Sequence, residues 1–213
     1  MPRNLFTPED VVAAAVAVVR EHGIGQLSAR RVARKLGAST APVYSNFASM
    51  DALAAAVRAA VADLVIAETE VPRSGEPFLD MGVGVLEFAR REPELYEALF
   101  DAPADQDDTG RLLMQALLDR MSHVVSLAGL SPAERMILLR KMAIFTHGLA
   151  VQVTAGRVEA DAWEEVLTLL AEAGRAMVTD AFNRPPRTEA EIALLAHLCE
   201  RRRPGDGRTG KGD

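Results

Sequence analysis

The chain has 213 residues, 49% hydrophobic and 25% charged, a balance typical of a soluble globular protein of one or two domains. Its single cysteine, Cys199, excludes an intramolecular disulfide framework and fits a reducing cytosol. The longest uncharged stretch, residues 142–156, is short and polar for a membrane span. Few aromatics and abundant Ala, Leu and Val favour an all-α protein, which we expect to be cytoplasmic and free of membrane association.

The net charge of −6 hides an asymmetry between the two ends of the chain. Residues 1–47 contain six Lys or Arg against three Asp or Glu, whereas the remainder contains 18 basic and 27 acidic residues. Positive charge is therefore local to the N-terminal segment, as attraction to a phosphate backbone would require. A solvated basic helix face would give the same pattern.

The first helix and the fourth have clear start and stop signals. Thr7 can cap a first helix that runs to about His22, where two glycines break it. Ser49 or Asp51 opens a long Ala-rich helix that reaches about residue 70. This fourth helix is expected to connect the N-terminal domain to the rest of the chain.

Residues 27–47 predict two short helices, at about 28–36 and 40–46, joined by a tight turn. Ser28 is a suitable N-cap, and Gly37 stands where a left-handed residue ends a helix at little cost. Ser39 or Thr40 can cap the second helix, in which Pro42 is early enough that its missing N–H costs little. This is the layout of a helix-turn-helix, whose second helix can enter the major groove of DNA.

The remainder of the chain predicts a helical bundle. Residues 71–75 form the expected linker, and Ser131 begins a capping box for a long helix to about 155. Asp161 is expected to cap the last long helix, to about 182. Further helices are predicted at 76–91, 93–100, 109–127 and 188–200, with an acidic loop at 101–108.

The predicted fold is all-α, with about nine or ten helices. A helix-turn-helix domain covers 1–50, and helix four covers 51–70. A ligand-binding and dimerisation domain covers 71–200, and a disordered Arg/Gly-rich tail covers 201–213.

This organisation resembles the TetR family of bacterial transcriptional regulators. The resemblance rests on the apolar first helix, on SARRVARKLG, on ASTAPVYSNF with its Tyr44 and Phe47, and on the SMDAL entry to helix four. Phe145 to Ala150 also resembles a W-x-H-G-like segment of one subgroup, with Phe145 in place of the tryptophan. The resemblance implies a dimeric repressor that binds a palindromic operator and is released by a small-molecule effector.

The same resemblance implies which residues face double-stranded DNA. Hydroxyls can bond bases or phosphates, a small residue can meet a thymine methyl, and a bidentate arginine contact to guanine is worth ~1–3 kcal/mol of discrimination. Tyr44 could instead pack inside the domain and Arg30 could be solvated. Where the family often has a phosphate-binding lysine before helix four, this chain has Met50. The residues expected at DNA are Arg30, Ser39, Thr40, Ala41, Tyr44, Ser45 and Asn46.

The C-terminal helices predict an effector pocket and a dimer interface, with no cofactor and no metal site. His147 could be a hydrogen-bonded core histidine rather than a ligand contact, and His123 is expected to be similar. The candidate pocket residues are Phe78, Met81, Phe88, Phe100, Met114, Leu117, Phe145 and His147. The candidate interface residues are Gly148, Leu149, Val151, Val166, Leu170 and Met177.

An enzyme is not expected, because no nucleophile–base pair, glycine-rich phosphate loop or convincing carboxylate pair stands out. The alternative that remains open is a helical scaffold that uses its helix-turn-helix for protein contacts. A DNA reader would lose affinity steeply as salt rises, and a scaffold would show no such binding.

Overall fold

The computed structural model describes residues 6–100, 108–185 and 187–197, and within these ranges the chain forms ten α-helices and no strand. Three short 3-10 turns, at Ile24–Gln26, Val125–Leu127 and Ala160–Ala162, join some of them. The α-helices are α1 Pro8–His22, α2 Ala29–Leu36, α3 Ala41–Asn46, α4 Met50–Thr69, α5 Pro77–Arg91, α6 Pro93–Ala98, α7 Thr109–Ser122, α8 Pro132–Thr154, α9 Trp163–Asn183 and α10 Glu189–His197.

Two capping boxes fix the starts of α1 and α8, as the sequence predicts. The Thr7 hydroxyl accepts from the Asp10 amide at 3.2 Å, and the Asp10 carboxylate accepts from the Thr7 amide at 2.8 Å. At α8 the Ser131 hydroxyl accepts from the Glu134 amide at 3.2 Å, and the Glu134 carboxylate accepts from the Ser131 amide at 3.0 Å. Each box satisfies two backbone donors that would otherwise lack an intrahelical partner.

Three local predictions differ from the structure. Ser28 occupies the N-cap position of α2, but its side chain makes no capping hydrogen bond. The helix predicted over 109–127 ends at Ser122, because extended backbone at Val124 separates it from the following 3-10 turn. Asp161 does not cap α9; it lies within a 3-10 turn, and α9 begins at Trp163. Of the predicted loop at 101–108 only Asp108 is described, directly before α7, and the predicted tail at 201–213 lies outside the described residues.

One continuous apolar core joins the N-terminal helices to the bundle. It includes fully buried Val11 and Val19 of α1, Leu53 of α4 and Leu138 of α8. The helix α8 lies at the centre of the bundle, in contact with α5, α6, α7, α9 and α10. By length and composition alone α8 could cross a membrane, a property that it shares with the core helices of soluble bundles. The core therefore positions α1–α3 at one end of the molecule.

Candidate nucleic-acid interface and C-terminal interior

The turn between α2 and α3 has the geometry that the sequence predicts. Gly37 adopts the left-handed conformation, with φ 65°, and the Ala38 amide donates to the Ala33 carbonyl at 3.0 Å. At the start of α3, the Ser39 hydroxyl accepts from the Ala41 amide at 3.3 Å. Of the two predicted caps, Ser39 therefore makes the side-chain bond, while Thr40 occupies the N-cap position without one.

Burial of one side chain decides which face of α3 is turned outward. Val43 is fully buried, 1% exposed, so its side of α3 packs into the domain and the opposite side faces outward. Tyr44 is 62% exposed, which excludes the alternative in which its ring packs inside the domain. Ser39, Ala41 and Ser45 are also exposed, and Thr40 is half-buried.

Asn46 occupies a different position from its neighbours on α3. It is half-buried, and its side-chain amide donates to the Pro42 carbonyl at 2.8 Å and to the Phe6 carbonyl at 3.3 Å. Bidentate recognition of adenine by asparagine needs an amide N–H for the base. Because the Asn46 amide is occupied by these two carbonyls, its direct contribution here is to hold α3 against the segment before α1.

The basic residues of α2 fall into two stripes with different partners. Lys35 pairs with Glu21 at 2.5 Å, and Arg31 donates to the Gln26 side chain at 3.0 Å. The Lys35 hydrogen bond holds the pKa of Glu21 below its ordinary value. Arg30 and Arg34, one turn apart, are exposed and form no ion pair among the described residues. The sequence predicts phosphate attraction from all four of these cations and a base contact from Arg30 alone; Arg34 lies on the same stripe of α2 as Arg30, one turn later.

The start of α4 is closed by a serine cap. The Ser49 hydroxyl accepts from the Ala52 amide at 3.0 Å, while Met50 is half-buried and packs against the core. Met50 therefore cannot replace the lysine that the resemblance would place there.

The candidate effector residues line the helices around the C-terminal interior. Met81, Phe88 and Leu117 are buried, whereas Phe100 is 51% exposed. Phe78, Met114, Phe145 and His147 are partly buried. They lie on or next to α5, α6, α7 and α8, and α8 packs against each of the other three helices. Of the eight, Phe100 and His147 are in direct ring contact, with centroids 4.2 Å apart.

A polar contact inside this region joins α6 to α8. The Tyr96 hydroxyl lies 3.0 Å from His147 Nδ1, and the Phe100 and His147 rings are 4.2 Å apart at their centroids. Burial raises the pKa of Tyr96 and lowers that of His147, so both groups are neutral near pH 7. His147 is thus hydrogen-bonded, the alternative to a ligand contact that the sequence left open, whereas His123, expected to be similar, is exposed. Tyr96 was missed by the sequence reasoning, and its spacing of four from Phe100 on one helix face was the available signal.

The candidate dimer residues divide between the surface and the subunit core. Gly148 and Val151 are exposed on α8. Val166 and Leu170 of α9 are 6% and 0% exposed, so they fill the subunit's own core and offer no area to a partner. Leu149 and Met177 are partly buried and pack against that core.

Contacts between α1 and α6 connect the helix-turn-helix to the bundle. The Arg20 guanidinium donates to the Glu92 carboxylate at 2.8 Å, beside the start of α6. Gly23, with φ 79°, lies so close to Glu94 that a Cβ there would be 2.6 Å from its carboxylate. The short helix α6 therefore contacts α1 of the helix-turn-helix domain on one side and, through Tyr96, α8 of the bundle on the other.

An exposed helix-turn-helix joined to a helical bundle is the architecture of many DNA-binding regulatory proteins. Residues 11–57 match the profile of "Bacterial regulatory proteins, tetR family", and residues 78–174 match that of "Tetracyclin repressor-like, C-terminal domain". The chain belongs to the TetR family of ligand-responsive bacterial transcriptional regulators. No curated protein sequence matches it.

Solved structures share the fold at low sequence identity. A tetR-family regulator from Streptomyces coelicolor is 18% identical, with a TM-score of 0.64, over 90% of this chain and 95% of the other. BioQ, solved with its natural double-stranded DNA operator, is 22% identical, with a TM-score of 0.54, over 80% and 99%. A TetR variant from Acinetobacter baumannii AYE, in complex with minocycline, is 15% identical, with a TM-score of 0.56, over 79% and 92%.

Proposed function

We propose that this protein is a repressor that binds a palindromic operator as a homodimer and leaves it when a small-molecule effector enters the C-terminal interior. It acts as a cytoplasmic, non-enzymatic regulator. The observation that carries the proposal is the outward face of the helix-turn-helix, where an exposed Tyr44 lies on α3 and the exposed cations Arg30 and Arg34 lie on α2. Apolar, hydroxyl and cationic groups on such a face suit a groove bounded by phosphates.

The residues of this face have separate roles in the proposal. Tyr44 donates its hydroxyl to a phosphate and fixes the position of α3 without reading sequence. Arg30 reaches a base edge, and Arg34 contacts a phosphate one turn away. Ala41 and Ser45, exposed on α3, meet base edges in the major groove.

The effector part of the proposal rests on the aromatic and polar groups between α6 and α8. The hydroxyl of Tyr96 and the imidazole of His147 provide directional polar groups among apolar side chains, as small-molecule sites commonly do. A ligand that displaces this hydrogen bond would move α6, which contacts α1. The minocycline complex of the Acinetobacter protein supports a small-molecule partner for this bundle.

The dimer part rests on apolar side chains left outside the subunit. Ile144 is 70% exposed and lies on one stripe of α8 with Gly148 and Val151, and Leu169 of α9 is 51% exposed. Two such helices from each subunit would form a four-helix bundle. The interface is therefore proposed on these exposed side chains of α8 and α9, and not on the buried Val166 and Leu170.

The test is selection of bound fragments from random duplex DNA, followed by binding measurements over a range of salt. We expect a palindromic sequence whose affinity falls steeply as salt rises. Arg30→Ala should weaken binding and relax preference at one position, whereas Tyr44→Phe should weaken binding equally on all sequences. Parent-like binding by both variants would refute the assigned face. Complete lack of salt-dependent DNA binding would favour the scaffold alternative.

A further inference from the structure

The hydrogen bond between Tyr96 and His147 fixes which imidazole nitrogen carries the proton. Tyr96 is 3% exposed, and within the described part of the chain its hydroxyl has a single hydrogen-bond partner, His147 Nδ1 at 3.0 Å. A buried O–H without an acceptor is costly, so the hydroxyl donates and Nδ1 accepts. Because burial lowers the pKa of His147 and keeps its ring neutral, the one imidazole proton lies on Nε2.

The Nε2–H group is thereby left as a donor that a ligand can bind. Nε2 forms no hydrogen bond with a described residue and is not buried. The two nitrogens of an imidazole face apart, so Nε2–H is directed away from Tyr96. Phe100 lies against the same imidazole, with ring centroids 4.2 Å apart, and is 51% exposed. A single donor therefore stands beside an accessible aromatic ring, a combination that suits a small-molecule site.

The surroundings of the pair favour a neutral ligand. Burial is the one cause that shifts the pKa of Tyr96 and that of His147, and no charged side chain of the described residues contributes to either shift. An anion bound here would lose its hydration without gaining a cation as partner. A group that only donates would meet a donor, because Tyr96 already occupies Nδ1, the acceptor of the pair.

We propose that this site selects effectors that are neutral, contain an aromatic ring and carry a carbonyl or similar acceptor, which His147 Nε2–H binds while the ring packs on Phe100. Tyr96 is a positioning residue in the site, since it acts by fixing the tautomer of His147. The inference rests on the proposed function and names the chemical class of its effector.

The first measurement is the tautomer of His147 in the ligand-free protein. Isotopic labelling of the histidine ring nitrogens gives proton–nitrogen correlation spectra in which protonated and unprotonated nitrogens are separate. His147→Phe identifies the signals of His147 among those of the four histidines. We expect Nε2 to be protonated in the parent, and Tyr96→Phe to give a mixture of the two tautomers. A proton on Nδ1 in the parent would overturn the proposal, because Nε2 would then be an acceptor.

The second measurement compares three soluble probes of one ring. Acetophenone offers a neutral acceptor, aniline mainly a neutral donor, and benzoate an anion. Binding is followed by magnetic-resonance titration of each probe with the full-length protein. We expect acetophenone to bind with a dissociation constant on the order of 1 mM, as fits a fragment of this size. Aniline and benzoate should each bind at least about fivefold more weakly, the effect of one hydrogen bond.

His147→Phe and a matched histidine variant complete the test. His147→Phe keeps a ring against Phe100 but removes both nitrogens, so it should bind acetophenone about fivefold more weakly than the parent. His123→Gln, which replaces an exposed histidine, should bind all three probes as the parent does. Circular dichroism checks the folding of each variant.

Equal affinity of the parent for the three probes would overturn the proposal, as would undiminished binding of acetophenone by a folded His147→Phe. If His147→Phe does not fold, the signals of His147 are assigned from the change that Tyr96→Phe causes, and the tautomer and the selectivity of the parent decide the outcome. Failure of the proposed function has a separate signature, since the parent would then select no operator, whichever probe it binds.

Discussion

Replacing Gly84 with alanine tests the closest helix crossing in the molecule. Gly84 is buried on α5, where a Cβ would lie 2.4 Å from the Glu68 carbonyl oxygen and 2.8 Å from the Thr69 amide nitrogen. Ordinary contacts of a Cβ begin near 3.4 Å. The obstructing atoms belong to the α4 backbone, so Gly84→Ala requires α4 and α5 to separate by about 1 Å.

The expected cost follows from two opposing effects. Overpacking costs ~1–3 kcal/mol, towards the upper end when a backbone rather than a flexible side chain must move. The higher helix propensity of alanine stabilises the folded state by ~1 kcal/mol. The net expectation is a loss of ~1–2 kcal/mol in the free energy of unfolding, or about 2–8 °C in melting temperature for a chain of this length.

The control is Gly174→Ala, also buried in a helix interior. Its added Cβ would meet only the flexible end of Met142, at 3.7 Å. This variant should therefore keep the propensity gain and be as stable as the parent, or more so. Thermal and urea unfolding are followed by circular dichroism at one fixed protein concentration, because association shifts apparent stability. Equal stability of Gly84→Ala and the parent, or equal destabilisation of both variants, would refute the packing argument.

Three further variants test the ion pair of Lys35, the partly buried His147 and the proposed dimer interface. Glu21→Gln releases Lys35 from its ion pair, so operator affinity should rise about twofold to fivefold, and it should decrease more steeply as salt is added. The matched control Asp180→Asn, remote from α2, should change neither the affinity nor its salt dependence. Because burial lowers the pKa of His147, the parent should lose stability as pH falls below about 6.5, where the unfolded chain binds a proton more readily. In melting curves recorded from pH 7 to pH 5, His147→Asn should lose less stability than the parent. An identical pH dependence of the two proteins would contradict this reasoning. Ile144→Glu should give a monomer in light scattering after size exclusion, and an intact dimer would exclude this outer stripe as the interface.

The helices could be predicted because their boundaries are encoded locally. Thr7 and Ser131 each lie three residues before an acidic partner, and Gly37 lies where the chain must turn left-handed. Such signals need only a few neighbouring residues and no knowledge of packing. The ends predicted less well lie near 3-10 turns: Ser122 is three residues before one, and Trp163 directly follows another. Such turns closely resemble a continuing helix in sequence.

Contacts between residues far apart in the sequence could not be predicted in the same way. The pattern of α9 shows that Val166 and Leu170 are apolar, but it cannot tell whether their own subunit or a second one covers them. Asparagine is a residue type that can read adenine, yet the side-chain amide of Asn46 donates to the Phe6 carbonyl, forty positions away in the sequence. Lys35 contributes to the sequence's positive charge, but Glu21, from another helix, pairs with it. Each difference arises from a contact that only the folded chain creates.

The helix contacts differ in how easily they can be broken, and this difference indicates which helices can move. At Gly84 the backbones of α4 and α5 touch, so the carboxyl end of α4 is held firmly to the bundle. By contrast, α1 meets α6 partly through Arg20 and Glu92, whose side chains remain 46% and 25% exposed. Exposed ion pairs of this kind contribute only ~0–1 kcal/mol, and breaking one costs little.

A ligand near His147 would therefore act on the contacts that yield most easily. Loss of the Tyr96 hydrogen bond would weaken the attachment of α6 to α8, and the exposed pair between Arg20 and Glu92 would let α1 shift against α6. The α4–α5 crossing would stay fixed and serve as the pivot. In the proposed homodimer, a small rotation about that pivot would change the spacing between the two copies of α3. The proposed palindromic operator requires one fixed spacing, so we expect such a rotation to reduce DNA affinity.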